Sequence, residues 1–227
     1  MNRDGWTRQR IEHEAWKQFR DVGYDATTYA SIARACGVGR SLVQYHFPRK
    51  EDLPTSLLAW VLEESQHVLG IDETRLMGNH VEFYKVGCCA FGFLLGNWGF
   101  QDFMMEILAS RNVTETLNEY FVQWNIERIS KTTSITDKDI DRTIVMSMGA
   151  FYDYIFHCLM TGREFDVFGS LANLTYMSAV ALEGTGSYQA SDFRRDPEFV
   201  NLINMALRAL AQSVESIVND DRTESIR

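Results

Sequence analysis

Residues 23–53 read GYDATTYASIARACGVGRSLVQYHFPRKEDL, and this stretch decides the fold. Gly23 stands where a left-handed residue closes a helix. Thr28 is a good N-cap for a short helix carrying Ala30, Ile32 and Ala33. Cys36-Gly37-Val38-Gly39 reads as a tight turn, and another short helix follows from about Arg40 to His46. Pro48 limits that helix, because the residue before a proline avoids the α region. Ile32, Ala33, Val38, Val43 and Phe47 are spaced to pack the two helices together. That leaves Arg40, Ser41, Gln44 and Tyr45 on the outer face. Short polar and planar side chains of this kind reach base edges in the major groove, while Thr, Tyr, His and Lys side chains and helix N-termini hold phosphates.

Working outward, a first helix covers about Thr7 to Val22, with Ile11, Ala15, Phe19 and Val22 along one face. A fourth begins near Arg49 or Lys50 and runs through Leu57, Leu58, Val61 and Leu62. Beyond it the helical period continues near 79–97, 101–110, 112–132, 137–161, 165–183 and 197–218, with no convincing period-2 alternation. Thr136 before Asp137 and Asp139, and Asp196-Pro197-Glu198, are well-signed helix starts. Residues 183–196 read as a loop. The expected class is all-α, with about nine to ten helices. A three-helix helix-turn-helix domain over 1–53 precedes a helical effector-binding and dimerisation domain over 54–227.

Composition narrows the functional classes. The net charge of −9 argues against indiscriminate nucleic-acid binding, but it is uneven: residues 1–53 hold nine Lys/Arg against seven Asp/Glu, and the remainder thirteen against twenty-four. A mildly basic head on an acidic body can present one face to DNA. The N-terminus lacks an apolar signal region, and Cys36, Cys88, Cys89 and Cys158 have neither zinc-ligand nor disulfide spacing, so a cytoplasmic protein with reduced thiols is expected. Residues 86–100 and 143–162 are apolar, but four glycines and Asn97 interrupt the first, and Asp153 and His157 the second. Both fit buried helices better than membrane spans. The five histidines lie far apart, and no phosphate loop or nucleophile elbow appears, so neither catalysis nor a cofactor or metal is expected.

Gly23-Tyr24-Asp25-Ala26-Thr27-Thr28, Ile32-Ala33, Gly37-Val38, Tyr45-His46-Phe47 and Lys50-Glu51-Asp52-Leu53 resemble the signature of the TetR family of transcription regulators, with Arg10-Ile11, Ala15 and Phe19 extending the match upstream. The resemblance implies that Thr28 caps the second helix and touches phosphate, and that Arg40, Ser41 and Gln44 face bases. It further implies that Tyr45 and His46 hold the backbone and that Lys50 contacts phosphate. Three residues depart from the family pattern. Gly39 replaces a capping serine, Gln44 a commoner tyrosine, and Pro54 lies just inside the fourth helix as either first-turn geometry or a kink.

In 137–161 an apolar stripe runs through Ile144, Met148, Phe151, Ile155 and Leu159, and in 197–218 another runs through Ile203, Leu207, Leu210 and Val214. Helices apolar on more than one face need a second partner. The resemblance implies that these pair with symmetry mates in a homodimer matched to a palindromic double-stranded operator. Tyr84, Phe91, Trp98, Phe103, Met104, Tyr120, Trp124, Tyr154 and Tyr176 are candidates for lining an effector pocket suited to an apolar or partly aromatic small molecule. The overall expectation is a repressor released by its effector. The alternative is an adaptor or coactivator that keeps the fold but acts through protein partners. Cys88 and Cys89 raise a lesser possibility of thiol sensing.

Overall fold

Among the residues that the computed structural model describes, 3–76, 79–96, 99–129, 134–183 and 196–218, every regular element is a helix. In order they are α1 (Arg3–Ala26), α2 (Tyr29–Cys36), α3 (Arg40–His46), α4 (Asp52–Val68), α5 (Glu73–Leu76), α6 (His80–Leu95), α7 (Gln101–Ala109), α8 (Arg111–Ile129), α9 (Asp137–Thr161), α10 (Val167–Glu183) and α11 (Pro197–Val218). Eleven helices exceed the expected nine to ten. The difference includes α5, which at four residues is too short to show a period.

The head, α1 to α3, is held by turn chemistry. Thr28 accepts from the Ser31 amide at 3.0 Å while the Ser31 hydroxyl accepts from the Thr28 amide at 3.0 Å, a reciprocal cap on α2. Gly37 closes α2 at φ 63°, and the Val38 amide returns to the Ala33 carbonyl at 2.9 Å. Ile32, Ala33, Val43 and Phe47 are buried between the helices, with Val38 packed at their edge. The Tyr29 hydroxyl donates to the Phe47 carbonyl at 2.8 Å, and Arg10 donates to the Cys36 carbonyl at 2.9 Å. α3 starts at Gly39 with no side-chain cap.

Two details of α1 differ from expectation. Its buried face follows Ile11, Ala15, Phe19 and Gly23 at a strict four-residue interval, so Val22 falls off it and is 56% exposed. Gly23 has φ 82° and ψ 176°. It therefore kinks the helix, which resumes to Ala26, instead of closing it in the left-handed helical conformation. Pro54 is the third residue of α4, in the turn whose N–H groups have no intrahelical partner, so it belongs there without a kink.

In the body α6 is central, packing against α4, α10 and α11. Two glycines permit this. A Cβ on Gly87 would lie 3.1 Å from Leu171 of α10, and one on Gly92 would lie 3.3 Å from Leu207 of α11. α8 pairs with α9 and α9 with α10, while α11 lies over α4 and α6 and reaches α1. The stripes expected to pair between subunits are mostly spent inside one chain. Ile144, Met148, Phe151, Ile155, Ile203, Leu210 and Val214 are buried here, and Leu159 and Leu207 are half-buried against the same core. A helical period reports which face is covered, not which chain covers it. No helix among the described residues is long and apolar enough to cross a membrane.

The two glycines of the α2–α3 turn should respond oppositely to a side chain. Gly37→Ala forces a Cβ into a left-handed position and should cost ~1–2 kcal/mol. Gly39 is at φ −75°, and a Cβ there would meet only Ser41 Oγ at an ordinary 3.6 Å, so Gly39→Ser should stabilise by a few tenths of a kcal/mol through a new cap. Thermal unfolding followed by circular dichroism checks both signs.

Candidate functional site

The outer face of α3 is polar and exposed. Arg40, Ser41, Gln44 and Tyr45 are all exposed there, Tyr45 to 70%, while Val43 between them is fully buried. Thr28 is also exposed, at the start of α2. The helix is thus anchored by one side and free along the other, as side chains entering a groove require. His46 is half-buried, with the Tyr45 ring edge-on at 5.2 Å and its carbonyl accepting from Arg8 at 3.3 Å. Lys50 is turned inward. Its ammonium lies 4.0 Å from the centre of the Tyr24 ring and donates to the Tyr24 carbonyl at 2.8 Å. Burial pushes the Lys50 pKa down, against the opposing pull of Asp25, Glu106 and Glu51.

Residues 11–55 match the family model described as bacterial regulatory proteins, tetR family. Over those residues the chain is similar to the TetR family, which supports a DNA-binding transcription regulator. The match covers the head from Ile11 onward and the first turn of α4; no curated protein and no solved structure matches the chain.

The head is joined to the body by α7 as well as by α4. Phe103 of α7 stacks on Phe19 of α1, ring centres 4.8 Å apart. One turn on, the Glu106 carboxylate accepts from the Asp25 amide at 2.9 Å, directly at the kink made by Gly23. Gly23 is what lets it in, since a Cβ there would stand 2.6 Å from a Glu106 oxygen. On the α4 side, the Trp16 indole donates to Ser56 at 3.3 Å and lies 5.4 Å from the Trp60 ring.

A cavity of about 100 Å³ lies between α4, α6, α8, α9 and α10. Among the described residues its walls are largely aliphatic and aromatic, with Asn125, Ser147, Thr175, Ser178 and His80 as the polar groups and no Asp, Glu, Lys or Arg. Of the nine residues expected to line a pocket, Phe91 and Trp124 do so here. Phe91 also borders a second cavity of about 10 Å³, together with Phe103 and Met104. Tyr84 is fully buried elsewhere, stacked on Phe199 with its hydroxyl donating to the Phe168 carbonyl at 3.2 Å. Tyr120 borders a surface groove at the junction of head and body. Tyr154 and Tyr176 are 48% and 44% exposed on α9 and α10. Trp98 lies outside the described residues. The residues that sequence reasoning missed, Leu171, Leu174, Ser147, Thr175 and Ser178, are aliphatic or small and polar, types that carry no pocket signal until helices are placed.

The thiols are not poised for redox chemistry. Burial pushes Cys36 and Cys89 up to about 11, and Cys88 further in the same direction. All four cysteines are buried.

If Glu106 holds the kink, Glu106→Ala should release the Asp25 amide. Its hydrogen exchange should then accelerate, while the amides of α2 and α3 keep their protection. Unaltered exchange at Asp25 would show that the kink stands without the carboxylate.

Proposed function

We propose that this regulator is a repressor that grips a palindromic operator as a homodimer and is released when a small, largely apolar effector enters the body. The observation that carries the DNA reading is the division of α3 into a buried Val43 side and an exposed Arg40, Ser41, Gln44 and Tyr45 side. Arg40, Ser41 and Gln44 read base edges, with Arg40 suited to the paired acceptors of guanine. Thr28, Tyr45 and His46 take backbone contacts. Lys50 reaches a phosphate by exchanging its bond to Tyr24, so its part in affinity is smaller than an exposed lysine's.

The dimer reading rests on a different surface from the buried stripes. Val145, Met146, Tyr154 and Met160 of α9 and Tyr176, Met177 and Val180 of α10 are all exposed large apolar residues. Gly149 in their midst has nothing within 4 Å of where a Cβ would be, which leaves room for a partner helix. Exposed large apolar residues on two helices packed against each other fit an interaction site. Two-fold pairing through it would set two copies of α3 about one DNA turn, ~34–36 Å, apart. The effector reading rests on the uncharged cavity beside α4 and α6. A ligand that prefers one arrangement of the body shifts the spacing of the heads by its differential affinity for the two arrangements.

Two experiments test this. Fluorescence anisotropy with operator DNA selected from genomic fragments should show Arg40→Ala weakening specific binding by ~1–3 kcal/mol; unchanged affinity would remove Arg40 from the contact. In sedimentation velocity the wild type should run as a dimer and the Met146→Glu/Met177→Glu variant as a monomer. A double variant that stays dimeric would place the interface elsewhere.

A further inference from the structure

Phe91 of α6 borders both cavities. On one side lies the uncharged inner cavity. On the other lies the smaller space enclosed by Pro54, Leu57 and Leu58 of α4 and by Phe103, Met104 and Ile107 of α7. One polar group belongs to this second space. Tyr152 of α9 lines it, is only 4% exposed, and its hydroxyl is buried with no hydrogen-bond partner. A buried hydroxyl is expected to be satisfied, and one left unsatisfied is a cost to the folded state. Water is a poor remedy here. The space is near the lower limit for one molecule, and a buried water needs two to four polar partners where Tyr152 offers one.

We infer that the effector site extends past Phe91 into the space between α4 and α7, where the Tyr152 hydroxyl donates to a neutral acceptor, such as a carbonyl or ether oxygen, on an otherwise apolar ligand. The inference deepens the effector reading and rests on it. Two features set the ligand's chemistry. Among the described residues no formally charged side chain of either sign borders the inner cavity or the Tyr152 space, so a carboxylate or an ammonium group would be buried there without a counter-charge. The hydroxyl has neither an acceptor for its proton nor a donor to its oxygen, and a carbonyl or ether oxygen supplies the first. Size also requires the two spaces to be used together. At about 100 Å³ the inner cavity alone is smaller than the ~150 Å³ that houses a benzene ring. Rotation of the Phe91 ring, which now rests edge-on at 4.9 Å from Phe151, would join them. The ligand would then touch Phe103, whose ring stacks on Phe19 of the head.

The test compares the full-length wild type with Tyr152→Phe, which removes one oxygen and keeps the shape. By isothermal titration calorimetry 4-phenylbutan-2-one, a neutral ketone, should bind the wild type two- to tenfold more tightly than the variant. 4-Phenylbutanoate at pH 7 should bind both far more weakly than the ketone does. Without ligand the variant should melt at a higher temperature than the wild type, because the unpaired hydroxyl is gone. Equal ketone affinity in the two proteins, carboxylate binding that matches the ketone, no ketone binding at its solubility limit, or a variant that melts no higher would each overturn the inference. Anisotropy with operator DNA on the same preparations separates this from the regulator reading. Specific DNA binding with no ketone discrimination defeats only the Tyr152 site, and ketone discrimination without DNA binding defeats only the regulator.

Discussion

Helix α1 has one buried face, and both halves of the molecule compete for it. Ile11 and Ala15 are fully covered, Trp16 lies against Trp60 of α4, and Phe19 lies between Tyr24 of the head and Phe103 of the body. Burying a side chain as large as Phe contributes ~1.5–3 kcal/mol, and stacking adds ~0.5–1.5 kcal/mol. Those magnitudes are large beside the stability of a short three-helix unit, so the head is not free to tilt on a passive hinge. Its orientation is set by where α4 and α7 stand. The Glu106 carboxylate on the Asp25 amide adds direction to that contact, since a hydrogen bond at 2.9 Å tolerates less sliding than two apolar surfaces do.

That constraint explains how a cavity in the body can matter to the exposed face of α3. α7 offers Phe103 to α1 and Met104 and Ile107 to the small space beside Tyr152, and α4 offers Leu57 and Leu58 to the same space. Whatever spreads α4 from α7 moves the two helices that carry the head. Pro54, which a reading of the sequence leaves as either a kink or an innocuous first-turn residue, proves to be the latter and lines this space. The head itself is stiff at its other joints. The capping pair of Thr28 and Ser31, the Gly37 closure and the Tyr29 bond to Phe47 keep α2 and α3 as one body while it moves.

The head was legible in the sequence because its determinants are local. A cap, a left-handed glycine and a proline act over a few residues, and their spacing alone leaves Arg40, Ser41, Gln44 and Tyr45 outside. The body was legible as helices but not as surfaces. Ile144 and Ile155 look the same in a periodic stripe whether covered by their own chain or by another subunit, and only placement shows that Val145, Met146 and Met177 are the ones left bare. The pocket was the least legible part. Aromatic residues were the natural candidates, yet Tyr84 fills core and Tyr154 faces outward, while the walls use Leu171, Ser147 and Thr175. Lys50 shows the same limit on a smaller scale, since nothing in its neighbours' identities announces that its ammonium lies over Tyr24.

The central claim is that two copies of α3 read DNA together across a two-fold axis. Hydroxyl-radical footprinting of the wild-type protein on an operator fragment tests this most directly, because it maps protection on each strand nucleotide by nucleotide. The account predicts two dyad-related protected segments on one face of the duplex, centred about one helical turn apart, ~34–36 Å. A single asymmetric segment, or protection that follows protein concentration without regard to sequence, would contradict it.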